Sequence, residues 1–481
     1  MNRNFLRPLL IIGLAAVITG IIALLIPAWD NSFFPIKKMP WFSALLSHNA
    51  AGDSVSVDTG LIEHIPSALD PFTKNLAMLQ PLSGQQPLVS STKPGRKKNL
   101  RVAYYSDSTI EGDLITAPLR HSFQSVYGGS GVGMVPITSI VAGFRQTIRH
   151  SFSKNWESIS FMSSARKDMS LGITGYTFIP RSYYTAQRAV EQPDTIAVTS
   201  DTLALAAADI PKPEEPKTQR IYVDYDPWVE YKAAAVNGGA ADFRQIRLFY
   251  SHAPENAEVS VSYDSAPSQS FYLSSGEAVQ MLDLSPVSPV KSIKLQFSRH
   301  DPIHVYGMSF DSESGVHVDN YPIRGYSGMY FSRIHEDVLK GFQRHLTYDL
   351  VVLQYGENVS NPAVRDYSNY KSAMKRTIEH IKKALPGVPI LIVSAHDRSI
   401  RDATGYHTSP DIPHLVKTQA ELAKETDCAF FNLYEAMGGH NSMIGLVSQK
   451  PPLASSDYTH FNRRGADYVA GMLLKFITGD Q

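Results

Sequence analysis

The chain has almost no cysteine and no excess of charge of either sign, and these two absences exclude several classes of protein. Cys428 is its one cysteine, so it forms no intramolecular disulfide and no cysteine-cluster metal site. Its 45 Lys and Arg residues balance its 45 Asp and Glu residues, whereas a nucleic-acid-binding protein needs a basic excess. The 16 histidines are scattered without metal-ligand spacing. We therefore expect no nucleic-acid partner, no metal and no cofactor, and we expect Cys428 to be buried.

One long hydrophobic run lies near the N-terminus. Residues 9–26 (LLIIGLAAVITGIIALLI) carry no charge, and about 17–20 apolar residues in a helix cross a bilayer. Arg3 and Arg7 precede this run, which places the N-terminus in the cytoplasm. The alternative is a cleaved signal peptide, whose apolar region is shorter and which ends at a small-residue cleavage site. We predict an uncleaved single-pass inner-membrane anchor over residues 1–29, followed by a periplasmic remainder.

The sequence pattern after residue 29 indicates an α/β domain that is interrupted by an insertion. Residues 30–98 predict a tether, and residues 99–144 begin with an apolar strand followed by a helix. Residues 145–314 contain many short strand-like runs, which are typical of a β-sandwich or jelly roll. In residues 315–481, strands alternate with helices, which indicates a parallel sheet with right-handed crossovers. The predicted fold is therefore α/β, with a doubly wound parallel sheet interrupted by a β-rich insertion.

Two polar sequences follow predicted strands, where active sites of doubly wound sheets gather. The first is Ser106-Asp107-Ser108. The hydroxyl of Ser108 can act as a nucleophile, and its N–H can stabilise an oxyanion. The alternative role of this sequence is helix capping. The second contains Asn358, whose side-chain amide can also donate to an oxyanion. The alternative for Asn358 is a local turn.

Two further sequences supply the other groups that acyl transfer needs. Asp457 and His460 are spaced so that the carboxylate can orient the imidazole as a general base. The loop 320–328 contains two glycines that can bring a backbone N–H to the serine. Gly325 is our candidate, and Gly328 is the alternative.

Together these sequences resemble the four blocks of the SGNH/GDSL-type esterases, which carry Ser, Gly, Asn and His in this order. The resemblance covers about 99–144 and 315–481 and implies an SGNH-hydrolase fold with a flavodoxin-like sheet. It implies a catalytic triad of Ser108, Asp457 and His460, and an oxyanion hole formed by Ser108, Gly325 and Asn358. The chain departs from the family in that Ser106 replaces the usual glycine of the first block, and the third block reads Gly-Glu-Asn without a following aspartate.

The β-rich insertion resembles that of cell-envelope members that act on O-acetylated peptidoglycan or polysaccharide. The resemblance therefore implies a membrane-anchored serine esterase that removes acyl groups, acetyl above all, from envelope glycans. One alternative is an O-acyltransferase that uses the same triad and receives acyl groups from a membrane donor system. The other is a non-catalytic carbohydrate-binding scaffold. Trp228 and Tyr231 in the insertion are candidates for stacking on sugar rings, with a place in the protein core as the alternative.

Overall fold

The computed structural model describes residues 65–79, 98–163, 166, 169–187 and 218–479. Its helices in chain order are α1 Asp70–Met78, α2 Thr116–Tyr127, α3 Glu336–Leu346, α4 Ser368–Ala384, α5 Ile412–Glu425, α6 Leu433–Ala436, α7 Ser442–Ser448 and α8 Arg463–Thr478. Short 3-10 segments span Ser67–Leu69, Ser108–Asp113, Ala142–Phe144 and Phe331–Arg333.

The strands in chain order are β1 Asn99–Ser106, β2 Gly133–Val135, β3 Ile148–Phe152, β4 Trp156–Ser160, β5 Tyr176–Pro180, β6 Tyr183–Gln187, β7 Thr218–Tyr222, β8 Trp228–Ala233, β9 Gln245–Ser251, β10 Glu258–Tyr263, β11 Gln269–Tyr272, β12 Gln280–Asp283, β13 Ser292–Phe297, β14 His304–Asp311, β15 Gly315–Pro322, β16 Leu350–Gln354, β17 Ile390–Val393, β18 Ser399–Asp402, β19 Gly405–Thr408 and β20 Ala429–Phe431.

A parallel sheet forms the centre of the α/β part. Its order is β15-β1-β16-β17-β20, and each neighbouring pair is parallel. Numbered along the chain, this is the 2-1-3-4-5 order of flavodoxin-like sheets. The strands alternate their side chains between two hydrophobic clusters, one packed against α3, α4 and α5 and the other against α1, α2 and α8. The predicted parallel sheet of a mixed α/β fold is thus confirmed.

Two antiparallel sheets form the β-rich part. One has the order β11-β10-β13-β8-β3, and the other has the order β12-β9-β14-β5-β4. Buried side chains from both sheets lie in a single hydrophobic cluster, so the sheets pack face to face. Strand β2 pairs with β14 of the second sheet, although the sequence analysis placed β2 in the first α/β segment. The β-rich part therefore includes residues that precede residue 145.

Buried ion pairs join the β-rich part to the parallel sheet. The Nη1 atom of Arg101 on β1 lies 2.7 Å from Asp319 Oδ1 on β15, and its Nη2 atom lies 2.6 Å from Asp311 Oδ1 at the end of β14. Burial lowers the pKa of Arg101, but the two carboxylates outweigh it and hold that pKa well above its usual value. A buried charge needs such partners to offset its lost hydration.

Part of the predicted tether is built into the fold. Residues 65–79 lie inside the range 30–98, yet Phe72 and Leu76 of α1 are fully buried in the cluster that covers one face of the parallel sheet. Ile65 also forms a backbone bridge with Phe430 at the edge strand β20. This short segment is held by packing and carries no extended apolar periodicity in its sequence.

The predicted anchor, residues 1–29 with the hydrophobic run 9–26, lies outside the described residues. Within the described ranges, none of the helices combines the length and the hydrophobicity that crossing a bilayer requires.

Candidate functional site

Ser108 lies two residues after the end of β1, in the first position of an irregular 3-10 segment. The preceding Asp107 is buried, and its Oδ1 accepts hydrogen bonds from the N–H and the hydroxyl of Thr109, at 2.9 and 2.7 Å. Burial raises the pKa of Asp107, although these hydrogen bonds oppose the shift. Ser108 is half-buried between these enclosed neighbours, so the turn presents its hydroxyl toward the surface.

Asp457 and His460 lie in the loop before α8, far from Ser108 in the sequence, and the fold brings His460 into contact with Ser108. The Nε2 atom of His460 lies 3.4 Å from Ser108 Oγ, and its Nδ1 lies 2.8 Å from Asp457 Oδ2. The other carboxylate oxygen of Asp457 accepts the backbone N–H groups of Thr459 and His460, at 2.9 and 3.0 Å. Burial raises the pKa of Asp457, but these hydrogen bonds outweigh it and lower the pKa overall. A carboxylate at Nδ1 favours the tautomer in which Nε2 is free to accept a proton from the serine.

Gly325 lies in a tight turn beside the end of β1. The N–H of Tyr326 closes the turn on the carbonyl of Ile323 at 3.0 Å, and the N–H of Ile323 donates to the Ser106 carbonyl at 3.0 Å. Gly325 has a φ of 75°, which favours glycine. It is exposed, and among the described residues its N–H has no hydrogen-bond acceptor.

Gly328, the alternative to Gly325, is enclosed. A Cβ atom at this position would lie 2.7 Å from the ring of Tyr355 and 2.9 Å from the sulfur of Met374. Its carbonyl accepts a hydrogen bond from Thr377 at 2.9 Å. Gly328 therefore has a packing reason to be glycine, and Gly325 stays the predicted backbone donor.

Asn358 follows β16, the strand next to β1, and it already has partners. Its Nδ2 donates to Asp107 Oδ2 at 2.7 Å and to the Tyr326 carbonyl at 3.2 Å. These bonds tie together the three loops that carry Ser108, Gly325 and Asn358. To act as an oxyanion donor, Asn358 has to exchange one of these two acceptors for the substrate.

A buried pair that the sequence analysis did not assign supports the His460 loop. The Nδ1 atom of His396 lies 3.1 Å from Glu357 Oε1, and its Nε2 atom lies 2.7 Å from the Thr459 carbonyl. Burial raises the pKa of Glu357 to about 8, with a further contribution from the nearby Asp107 carboxylate. Burial also lowers the pKa of His396. These two shifts favour a neutral pair, in which a protonated Glu357 donates to His396 Nδ1 and His396 Nε2–H donates to the Thr459 carbonyl.

The two aromatic candidates of the insertion differ in exposure. Tyr231 is fully buried and donates its hydroxyl to the Pro136 carbonyl at 2.8 Å, so the hypothesis that it stacks on a sugar is wrong. An inward position on β8 places it in the core shared by the two sheets. Trp228 is half-buried, with the Lys294 ammonium 4.9 Å from its ring centroid. Cys428 is buried as expected, and burial raises the pKa of its thiol.

Comparisons with known proteins show which solved structures this chain is similar to. No protein-family model matches the chain, and no curated protein matches it. Among solved structures, a peptidoglycan O-acetylesterase matches at a TM-score of 0.61 and 18% identity, over 86% of this chain and 97% of that one. An acetyl xylan esterase matches at 0.27 and 19%, over 33% and 79% of the two chains. A GDSL-like lipase from Parabacteroides merdae matches at 0.26 and 18%, over 34% and 73%.

The first of these matches spans both the parallel sheet and the β-rich part, because it covers 86% of this chain. At 18% identity it shows the fold alone, and the two lower TM-scores add no argument. The residues of the four sequence motifs lie on loops that follow β1, β15 and β16 and on the loop that precedes α8. The chain therefore shares the fold of that peptidoglycan O-acetylesterase, in agreement with the fold that the resemblance in its sequence implies.

Proposed function

We propose that the protein is a serine esterase that removes acyl groups, acetyl above all, from envelope glycans. The observation that carries this proposal is the chain of contacts from Asp457 through His460 to Ser108, at the carboxyl edge of the parallel sheet. The fold shared with a peptidoglycan O-acetylesterase supports an O-acetylated glycan as the substrate class.

In the proposed first step, His460 Nε2 takes the proton of Ser108 while Ser108 Oγ attacks the ester carbonyl carbon. The oxyanion that forms accepts hydrogen bonds from the N–H groups of Ser108 and Gly325 and from the Asn358 amide. When the ester C–O bond breaks, protonated His460 gives its proton to the departing sugar oxygen. The products are a free sugar hydroxyl and an acyl group bonded to Ser108 Oγ.

In the second step, a hydroxyl group resolves the acyl-enzyme. Water loses a proton to His460 and attacks the acyl carbon, and the Ser108 oxygen leaves with that proton. A sugar hydroxyl in place of water makes the protein an O-acyltransferase fed by a membrane acyl donor. The side chains of His460 and Asp457 are about half exposed, at 49% and 51%. Open access of water favours hydrolysis.

The cellular placement belongs to the same proposal. Residues 9–26 act as a single-pass inner-membrane anchor, and the site faces the periplasm, where envelope glycans lie. The β-rich part, residues 145–314 in the sequence-based division, contributes to glycan binding. A protein that only binds carbohydrate does not need the ordered contacts of Asp457, His460 and Ser108.

The test is acetate release from 4-nitrophenyl acetate by the full-length chain. Ser108→Ala should lower kcat by at least about 10⁴-fold, since loss of a nucleophilic serine removes most of the chemistry. Ser125→Ala is the matched control, because Ser125 is exposed on α2 and donates only to the His121 carbonyl of its own helix. Turnover that survives Ser108→Ala would contradict the proposal. Addition of sugar acceptors then separates the two activities, because a transferase yields acetylated sugar in place of acetate.

A further inference from the structure

A cavity of about 110 Å³ lies where the β-rich part meets the loops of the parallel sheet. A buried water needs at least roughly 10–15 Å³ of such space, so the cavity has room for several water-sized groups. We call it the junction pocket and define it by six of its lining residues: Glu111, Thr138, Ser139, Ser158, Tyr176 and Asn320.

The junction pocket contains a buried polar atom that lacks a partner. Asn320 is 3% exposed, and its Oδ1 has no hydrogen-bond partner among the residues that the structure describes. A buried polar atom left unpaired is costly, so a hydrogen-bond donor in the pocket, on a water or on a ligand, would stabilise this one. Two further groups offer hydrogen bonds nearby: the buried carboxylate of Glu111, which pairs with Arg324, and the hydroxyls of Thr138 and Ser158, which lie 2.9 Å apart.

The junction pocket adjoins the proposed catalytic site on two sides. Glu111 belongs to the 3-10 segment that begins with Ser108, and its partner Arg324 precedes Gly325. On the other side, the ring of Phe144 lies against Gly112, where a Cβ atom would approach it to 2.3 Å. The Phe144 carbonyl accepts a hydrogen bond from Arg463 Nη2 at 3.3 Å, three residues after His460. The loop that forms one wall of the pocket therefore lies between the serine and histidine motifs.

We propose that the junction pocket is a saccharide subsite that holds a sugar ring of the glycan whose ester is cleaved at Ser108. A sugar ring carries several neighbouring groups that both donate and accept hydrogen bonds, which matches the amide, the carboxylate and the hydroxyl pair that line the pocket. Its C–H faces suit the apolar surface beside these groups, where Ile140 is 82% exposed. This inference rests on the proposed function for the identity of the glycan.

The test measures binding without turnover. The full-length Ser108→Ala chain is titrated by calorimetry with a tetrasaccharide of N-acetylglucosamine and, separately, with xylotetraose. The same titrations follow with Asn320→Leu or Ser158→Ala added. Asn237→Leu is the matched control, because Asn237 is exposed and does not line the pocket. Thermal unfolding shows whether each variant folds. If Asn320→Leu does not fold, the affinity of Ser158→Ala tests the subsite.

We expect at least one tetrasaccharide to bind, with affinity about tenfold weaker after Asn320→Leu and unchanged after Asn237→Leu. Preference for the N-acetylglucosamine oligomer would assign Asn320 to an acetamido group, and preference for xylotetraose would assign it to ring hydroxyls. The subsite is refuted if neither sugar binds, or if both pocket variants bind as tightly as the parent. Because wild-type acetate release is measured apart from binding, a failed subsite and a failed esterase give different results.

Discussion

Glu357 is a buried carboxyl group whose proton should control stability between about pH 4.5 and pH 8. Its Oε1 faces His396 Nδ1 at 3.1 Å and accepts the His396 backbone N–H at 3.2 Å. Burial raises its pKa from 4.5 to about 8. The folded chain therefore keeps this proton at pH values at which the unfolded chain has lost it.

The sign and the size of the effect follow from this difference in pKa. Below pH 4.5 both states hold the proton, and between pH 4.5 and pH 8 only the folded state does, so the free energy of unfolding falls as the pH rises. The rise in pKa from 4.5 to about 8 corresponds to a change of at most about 5 kcal/mol in the free energy of unfolding, at about 1.4 kcal/mol for each pKa unit. Glu357→Gln removes the titration and keeps an N–H donor for His396 Nδ1. Relative to the wild type, the variant should therefore gain stability as the pH rises through this window.

The assay is urea unfolding of the full-length wild type and of Glu357→Gln at pH 5 and pH 8. Glu255→Gln is the matched control, because Glu255 is an exposed carboxylate on a turn of the β-rich part. We expect the stability difference between variant and wild type to grow by several kcal/mol from pH 5 to pH 8, well beyond any change in the control. A difference that does not change with pH would show that folded Glu357 is ionised and that the neutral pair with His396 is wrong.

Three further predictions address the site and the N-terminal segment. Asp457→Asn should lower kcat by about 10⁴-fold, because the imidazole tautomer is no longer fixed; a loss below tenfold in acetate release would contradict the role of Asp457. Asn358→Ala should lower kcat by about 10²–10³-fold with the fold intact by circular dichroism, and full activity would remove Asn358 from the oxyanion hole. Phe72→Ala should lower the free energy of unfolding by about 3–5 kcal/mol, with exposed Lys74→Ala as the control, and an unchanged stability would restore the tether interpretation for α1.

The strands at the centre of the parallel sheet were predictable because their pattern is local. The runs in β16 and β17 are apolar at every position but the last of β16, as expected of strands covered on both faces. Strand β15 was not predicted as a strand, although it lies beside β1, because it contains His317, Asp319 and Asn320. Asp319 is tolerated there because Arg101 pairs with it across 218 positions of sequence, and no local pattern reveals such a partner.

In the candidate site, too, the residues of local motifs were predictable and the contacts made only by folding were not. Short motifs identified Ser108, Asp457 and His460, which the structure brings into hydrogen-bond contact, while their catalytic roles stay predictions. The pair of Glu357 and His396 was missed because these residues lie on different loops and meet only in the folded chain. The spacing of residues also gave no indication that Asn358 is held by Asp107.

The measurement that tests the central claim most directly is the mass of the full-length chain quenched with acid during turnover of 4-nitrophenyl acetate. The account predicts a species that carries one added acetyl group, located by peptide mapping on Ser108 and absent from Ser108→Ala. Acetate release without any acetyl group on Ser108 at any quench time, or an acetyl group on a different residue during turnover, would contradict it.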